Sequence, residues 1–348
     1  MKRIQKRKRL KLAAVTVLSA AMAFSLVSCA AASSGSGASD SSRYVTVNGK
    51  KLFVLRIPTQ TGFNEFDIAI AKGYFAQNGI QVKYTGVLKA GVSDVQSVVE
   101  GDNDIFTNHP VTVAQAVEGG AKIHIIAPGM VDNAQLVHMD YFVKKGGSIQ
   151  SAADLKNRKF KVAVSGTDTC TDLVANEWFK QQGIPKSNVT YVVEDDSQIE
   201  QSVAQGLVDI GCLHPPFIKK AQIDGELTSL FTSYDAVKSP AGGASIRGVS
   251  DAFASKYPQV ITGFIKAIDE AHHFINVHPD EADAIEAKAL NMPVNQVAPF
   301  YYDPTDYVQK SYIQTWINMM VDDGIAKPGE FKATDLYTNK YNPYHKGV

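Results

Sequence analysis

The chain predicts an α/β fold built as two lobes, and three observations lead there. A strand–helix alternation with short connections runs over about residues 50–140 and starts again over about 150–235. The stretch after residue 250 is helical with no strands between its helices. Only three cysteines occur in 348 residues, so an apolar core rather than a disulfide framework must hold the body together.

In the first run KLFVLRIP (51–58) reads as a strand. FDIAIAKGYFAQNG is an apolar-periodic helix ending near Gly79, and IQVKYTG is a second strand. VSDVQSVVEG is helical, DIF (104–106) a short strand, PVTVAQAVEGG a helix and AKIHIIAP a strand. Such a run makes a parallel sheet with helices on both faces and right-handed crossovers. The second run opens with a short helix at SAADLKN, where Ser151 or Asp154 supplies a cap. KFKVAV, NVTYVV and LVDIGCL follow as strands, alternating with helices over SGTDTCTDLVANEWFKQQG, DSQIEQSVAQG and HPPFIKKAQIDG. ASIRGVS reads as a strand or an extended crossing. The tail holds a helix interrupted near Pro279 and a last one over DYVQKSYIQTWINMMVDDG.

The N-terminus carries separate information. MKRIQKRKRLK has seven basic and no acidic side chains, and LAAVTVLSAAMAFSLV (12–27) has no charge. This is the layout of an export signal, too short to span a bilayer. AAASSGSGASDSS after Cys29 is a flexible tether. Without residues 1–28, Lys+Arg falls from 35 to 28 against 35 Asp+Glu, a formal charge of −7. That excess gives no reason to expect a nucleic-acid partner.

The residues also resemble known families. Leu26, Val27, Ser28 and Cys29 resemble a bacterial lipobox, which implies lipid on Cys29 and cleavage before it. AIAKGYF (69–75) with GIQV (79–82), GDNDI (101–105) with His109 and Pro110, Asp154-Leu155-Lys156 with KVAV (161–164), and GLVDI (206–210) with Pro216 and Phe217 resemble segments of one group. This is the periplasmic-binding-protein-like group serving ABC importers, in its nitrate, sulfonate, taurine and thiamine-precursor branch. Asn157 and the SGTDTCT and GCLHP segments depart from its usual pattern.

The resemblance implies a type II periplasmic-binding-protein-like fold: two lobes, parallel-rich sheets flanked by helices, and a ligand cleft between them. The expected organisation is a signal peptide at 1–28, a lipidated tether at 29–49, lobe 1 at 50–140, lobe 2 at 141–243, and a return to lobe 1 with C-terminal helices at 244–348. Crossing segments are expected near 137–143 and 243–249. The implied role is a monomeric, non-enzymatic solute-binding subunit, lipid-anchored on the extracytoplasmic face of the cell membrane. It works with an ABC permease and ATPase, needs no cofactor, and touches the membrane through its lipid alone.

In open α/β sheets ligands bind beyond the C-terminal ends of the strands. That rule selects Thr61, Phe63 and Asn64, then Asn108 and His109, then Thr167 and Asp168, then His214. Arg247, on the crossing, is added as an anchor for an acid. Two of these turns lead into helices, whose free N–H groups accept negative charge. The favoured ligand is therefore a small oxyanion, a sulfonate or a taurine-like zwitterion. The alternative is a planar heterocycle such as a thiamine-precursor pyrimidine, stacked on Phe63 and gripped by Asp168. A transition metal is less favoured, because the histidines and cysteines show no close ligand spacing, and no metal site is assigned. An enzyme using Cys170 and His214 as thiol and base is less favoured again. A Cys170–Cys212 disulfide is weighed against two separate thiols.

Changing Cys29→Ala should yield a protein that keeps an unmodified N-terminal region and leaves the membrane fraction. Intact mass after detergent extraction checks this, and an unmodified Cys29 in membrane-bound wild type would refute the lipid assignment.

Overall fold

The computed structural model describes residues 41–88 and 93–345. The signal segment, Cys29 and most of the expected tether lie outside the described residues. Strands β1 to β6 are Tyr44–Val47, Lys50–Ile57, Ile80–Tyr84, Phe106–Asn108, Ile123–Pro128 and Met130–Val131. Strands β7 to β13 are Asp140–Lys144, Phe160–Val164, Val189–Val193, Ile210–Leu213, Leu227–Thr232, Ile246–Ser250 and Tyr301–Tyr302. Among the helices, α1 is Glu65–Ala71, α2 Tyr74–Gln77, α3 Asp94–Val99, α4 Pro110–Glu118, α5 Cys170–Gln181, α6 Asp196–Ala204 and α7 Phe217–Asp224. Then α8 is Ser233–Val237, α9 Asp251–Lys256, α10 Pro258–Val277, α11 Pro279–Ala289, α12 Lys310–Asp323 and α13 Ala333–Leu336.

Two α/β lobes result, with mixed rather than parallel-rich sheets. Lobe 1 pairs β2 with β3 in parallel, and β12 runs antiparallel between β4 and β5. Lobe 2 has the order β11-β7-β10-β8-β9, in which β8 is parallel to β10 and β9 while β7 is antiparallel to β10 and β11. β7 lies in the segment expected to be a crossing, and β11 was not expected. Both are the strands that return the chain against the βα direction, so the alternation leaves no mark of them.

Other boundaries shift for local reasons. The helix expected to reach Gly79 breaks into α1 and α2 at Gly73, whose φ of 78° an L side chain rarely adopts. Residues 44–47, expected in the tether, form β1 against the start of β2. The crossings are the segments leading into β7 and β12, about 132–139 and 238–245. They lie side by side: Asp132 N donates to Pro240 O at 3.1 Å and Gly129 N to Ser245 O at 3.0 Å. The pairing is close because a Cβ on Gly243 would fall 2.0 Å from Asp132 Oδ1.

One apolar cluster lies within lobe 1, and a second runs from lobe 1 past α12 into lobe 2. Lobe 1 packs Phe66, Phe75 and Phe264 under its sheet, with α10 across them. In lobe 2, Trp178 stacks on Phe231 at 3.9 Å between ring centres, and Phe231 on Tyr141 at 4.2 Å. α12 packs on both α4 of lobe 1 and α5 of lobe 2.

A buried charge pair sits inside lobe 1. Glu65 is fully buried and Arg247 is 4 % exposed. The Arg247 guanidinium donates through Nε to Glu65 Oε1 and through Nη2 to Oε2 at 2.8 Å, and Tyr302 Oη donates to Oε2 at 3.1 Å. Burial pushes the Glu65 carboxyl up, but Arg247 and His272 outweigh it and hold it well below the carboxylate range. Removing one partner of such a pair strands a buried charge. Arg247→Met is expected to cost about 3–5 kcal/mol, with Glu65→Gln added in the same chain recovering much of the loss. Denaturant unfolding of the single and double variants checks this, and additive losses would refute it.

Candidate functional site

The cleft between the lobes closes over a cluster of three imidazoles and a thiol. His109, before α4, comes from lobe 1. His138 lies on the first crossing. Cys170 is the first residue of α5, and His214 follows β10; both belong to lobe 2. His109 Nε2 is 3.0 Å from His138 Nε2, and Cys170 Sγ is 3.9 Å from His214 Nε2. The ligating atoms of His109, His138 and Cys170 all lie within 4.8 Å of one another. The His138 ring is centred 4.7 Å from both His109 and His214. Trp316 backs His109 at 5.1 Å and Phe300 faces His138 at 6.0 Å.

Two of the three imidazoles are aimed by a partner behind them, while His138 Nδ1 is buried with no partner among the described residues. His109 Nδ1 lies 3.0 Å from Ala244 O on the second crossing, so it carries the proton there and turns Nε2 inward. His214 Nδ1 is 2.9 Å from Asp196 Oδ2 at the start of α6. His138 has its backbone N–H on Asp132 Oδ1 at 2.7 Å. Burial lowers the His138 pKa to about 3, which keeps that ring neutral. At His214 burial opposes the charge, but Asp196 and Cys170 lift the pKa to about 10. Burial alone would raise the Cys170 thiol, yet His109, His138 and His214 hold it well below the thiol range.

The remaining expected residues divide sharply. Phe63 is buried in the cleft wall, edge-on to Phe300 at 6.1 Å. Asn64 is a cap: its Oδ1 accepts from Asp67 N at 3.0 Å and its Nδ2 donates to Glu286 Oε1 at 3.1 Å. Asn108 donates to Asp94 Oδ1 and accepts from His109 N, both at 2.8 Å. Arg247 is committed to Glu65 and offers no free cation. Thr61, Thr167 and Asp168 are exposed. Asp168 and Thr169 donate their backbone N–H groups to Asp172 at 2.7 and 2.8 Å, so an internal carboxylate occupies the α5 start. Cys170 and Cys212 are free thiols, not a disulfide. Cys170 turns its sulfur to the histidines, whereas Cys212 is fully buried in β10.

His138, Phe300 and Trp316 escaped the sequence reading. His138 had one signal, a histidine inside the expected first crossing at 137–143. Phe300 and Trp316 had none, since a loop and a tail helix bring them in.

The lobes touch around the cluster. Gln115 Nε2 of α4 donates to Asp168 O at 2.9 Å, and a Cβ on Gly62 would lie 3.8 Å from Pro215 O. Beside the cluster is a cavity of about 420 Å³ lined by Leu136, Val137, Pro215, Ile218, Val297 and Pro299 among others. A second cavity, of about 360 Å³ between α5 and α12, has its charges paired off as Lys180–Asp322 and Lys186–Asp323.

A two-lobed α/β body with its polar cluster between the lobes has the architecture of the solute-binding proteins. The chain belongs to the NMT1/THI5-like family, whose profile matches residues 60–282. No curated protein matches the chain in sequence. Its fold is similar to that of the periplasmic aliphatic sulphonate binding protein SsuA from Escherichia coli, with a TM-score of 0.67 and 17 % identity over 85 % of this chain and 95 % of that one. It is also similar to a zinc-bound ligand-binding component of an ABC-type import system from Staphylococcus aureus (0.67, 12 %, over 83 % and 97 %). A third similar fold is the periplasmic nitrate-binding protein NrtA from Synechocystis (0.64, 16 %, over 82 % and 85 %).

A thiolate held by imidazoles reacts where an ordinary thiol does not. In chelator-treated protein, iodoacetamide is expected to modify Cys170 below the free-thiol range of about 8.5, whereas His214→Asn should move the reaction toward that range. Cys212, buried and pushed well above the thiol range by that burial, should stay unmodified. Mass mapping checks both, and equal rates at the two cysteines would refute the assignment.

Proposed function

We propose that this chain is the extracytoplasmic solute-binding subunit of an ABC importer, moored through Cys29, capturing a small polar solute between its lobes for delivery to a permease and its ATPase. The observation that carries the reading is the convergence of His109, His138, Cys170 and His214 from both lobes and a crossing onto one point in the cleft. No helix among the described residues is long and apolar enough to cross a membrane, which fits mooring by lipid.

Binding rather than catalysis suits this geometry. Cys170, His214 and Asp196 are ordered like a nucleophile, base and orienting acid. However, the chain's family and the solute-binding proteins with similar folds support binding.

For the ligand, the cleft favours a planar nitrogen heterocycle over a free oxyanion or sulfonate. The described lining offers imidazole and sulfur lone pairs, with Phe63 and Phe300 as apolar walls. Its one raised histidine is already balanced by Asp196 and Cys170, and Arg247 by Glu65. The sulfonate and nitrate readings keep support from the similar binding proteins.

Calorimetry on the mature protein with an aminopyrimidine, an alkanesulfonate and nitrate tests the choice. The aminopyrimidine is expected to bind, and Phe300→Ala to weaken it about 2–10-fold, the scale of one aromatic contact at 0.5–1.5 kcal/mol. Asp168→Asn should leave binding unchanged, since that side chain is exposed. Tight sulfonate or nitrate binding with no pyrimidine uptake would restore the oxyanion reading.

A further inference from the structure

We propose that His109 Nε2, His138 Nε2, Cys170 Sγ and His214 Nε2 form a four-coordinate site for one divalent transition-metal ion of zinc-like softness, bridging the two lobes. The inference rests on this cleft being the ligand site, but not on the identity of any organic solute.

Donor type is the first support. Three imidazoles and one thiolate are the set that borderline-soft ions prefer, and harder ions such as magnesium and calcium take oxygen instead. Spacing is the second. A tetrahedral zinc ion with Zn–N of 2.0–2.1 Å and Zn–S of 2.3 Å sets its ligand atoms about 3.3–3.6 Å apart. The observed separations of 3.0 Å between His109 and His138 and 3.9 Å between Cys170 and His214 bracket that range. The ligand atoms of His109, His138 and Cys170 all lie within 4.8 Å of one another, so centring an ion draws them together by about an ångström.

Orientation is the third. A metal-binding histidine usually donates its other ring nitrogen to a carbonyl or carboxylate, which fixes the tautomer. His109 does so to Ala244 O and His214 to Asp196. Both therefore present Nε2 to the centre. Without an ion, two Nε2 atoms face each other at 3.0 Å and must share one proton or repel. An ion between them turns that contact into two bonds.

The ligands also state what binding does. One comes from lobe 1, one from a crossing and two from lobe 2, so an ion held by all four ties the lobes closed. The sequence spacing concealed this site, because its ligands are 29 or more residues apart along the chain.

Chelator-stripped mature protein dialysed against Zn²⁺ should take up one ion per chain. With Co²⁺ it should show a thiolate-to-cobalt charge-transfer band and the intense visible absorption of a tetrahedral centre. Cys170→Ser should abolish the charge-transfer band, and Asp196→Asn should weaken uptake about 10–100-fold. Cys212→Ser, which removes a thiol outside the cluster, should change neither. Zn²⁺ should also protect Cys170 from iodoacetamide, a readout that needs no ligand-removing variant to fold. No stoichiometric uptake, or uptake unaffected by Cys170→Ser and His138→Ala, overturns the site. An organic solute retained on host-purified protein with no metal uptake overturns the site and leaves the solute-binding reading standing. Failure to retain or bind either overturns both.

Discussion

The buried Glu65–Arg247 pair is the constraint from which the cleft is built. Arg247 lies on β12, the first strand after the second crossing, and Glu65 opens α1 under the first expected binding turn. Their bond pins the returning chain to lobe 1 two residues after Ser245, the partner of Gly129 and Met130. That fixes Ala244, whose carbonyl orients His109. An ion pair sealed from water has to be matched by further hydrogen bonds. Tyr302 supplies one, and His272, stacked on Tyr302 at 4.2 Å, lies against the same carboxylate. A group that looks on paper like a ligand anchor is instead the joint holding the cleft floor in place.

The same substitution of structure for recognition recurs at the helix starts. An open helix N-terminus invites an anion. Here α1 is capped by Asn64, and the turn before α5 gives its amides to Asp172, so both invitations are answered from within the chain. The cleft's polarity is thereby reversed. Lone pairs on imidazole and sulfur face inward, while the positive charges are already neutralised. Fold similarity to sulphonate and nitrate binders concerns how two lobes hinge, and the charge between them is set by side chains that similarity does not reach.

Much of the fold was legible because βα alternation is a local pattern: β2, β3, β5, β8, β9 and β10 fall where periodicity and turns put them. The antiparallel β7 and β11 were not, since a strand's direction in a sheet depends on partners remote in sequence. The site divides the same way. His109 and His214 could be placed by the rule that ligands gather past strand ends. Asn64 and Asn108, chosen by that rule, and Arg247, chosen for its place on the crossing, are already bonded within the chain, and sequence shows which groups can bond but not which are already bonded. His138 and Phe300 come from a crossing and a loop, where no period applies.

Closure and chemistry are linked in this arrangement. Cys170 and His214 belong to one lobe, His109 to the other, and His138 to the segment between. Contacts across the cleft, Gln115 to Asp168 among them, and α12 packed on both lobes hold the four together. A half-buried thiolate is costly unless compensating groups surround it. Opening the lobes would remove His109 from Cys170 while leaving His214 beside it, so the sulfur would lose part of its hold. The affinity of the cluster for an electron-poor partner is therefore greatest in the closed state. A ligand that satisfies the sulfur and the imidazoles stabilises closure by its preference for that state, which is the only way a ligand can shift such an equilibrium.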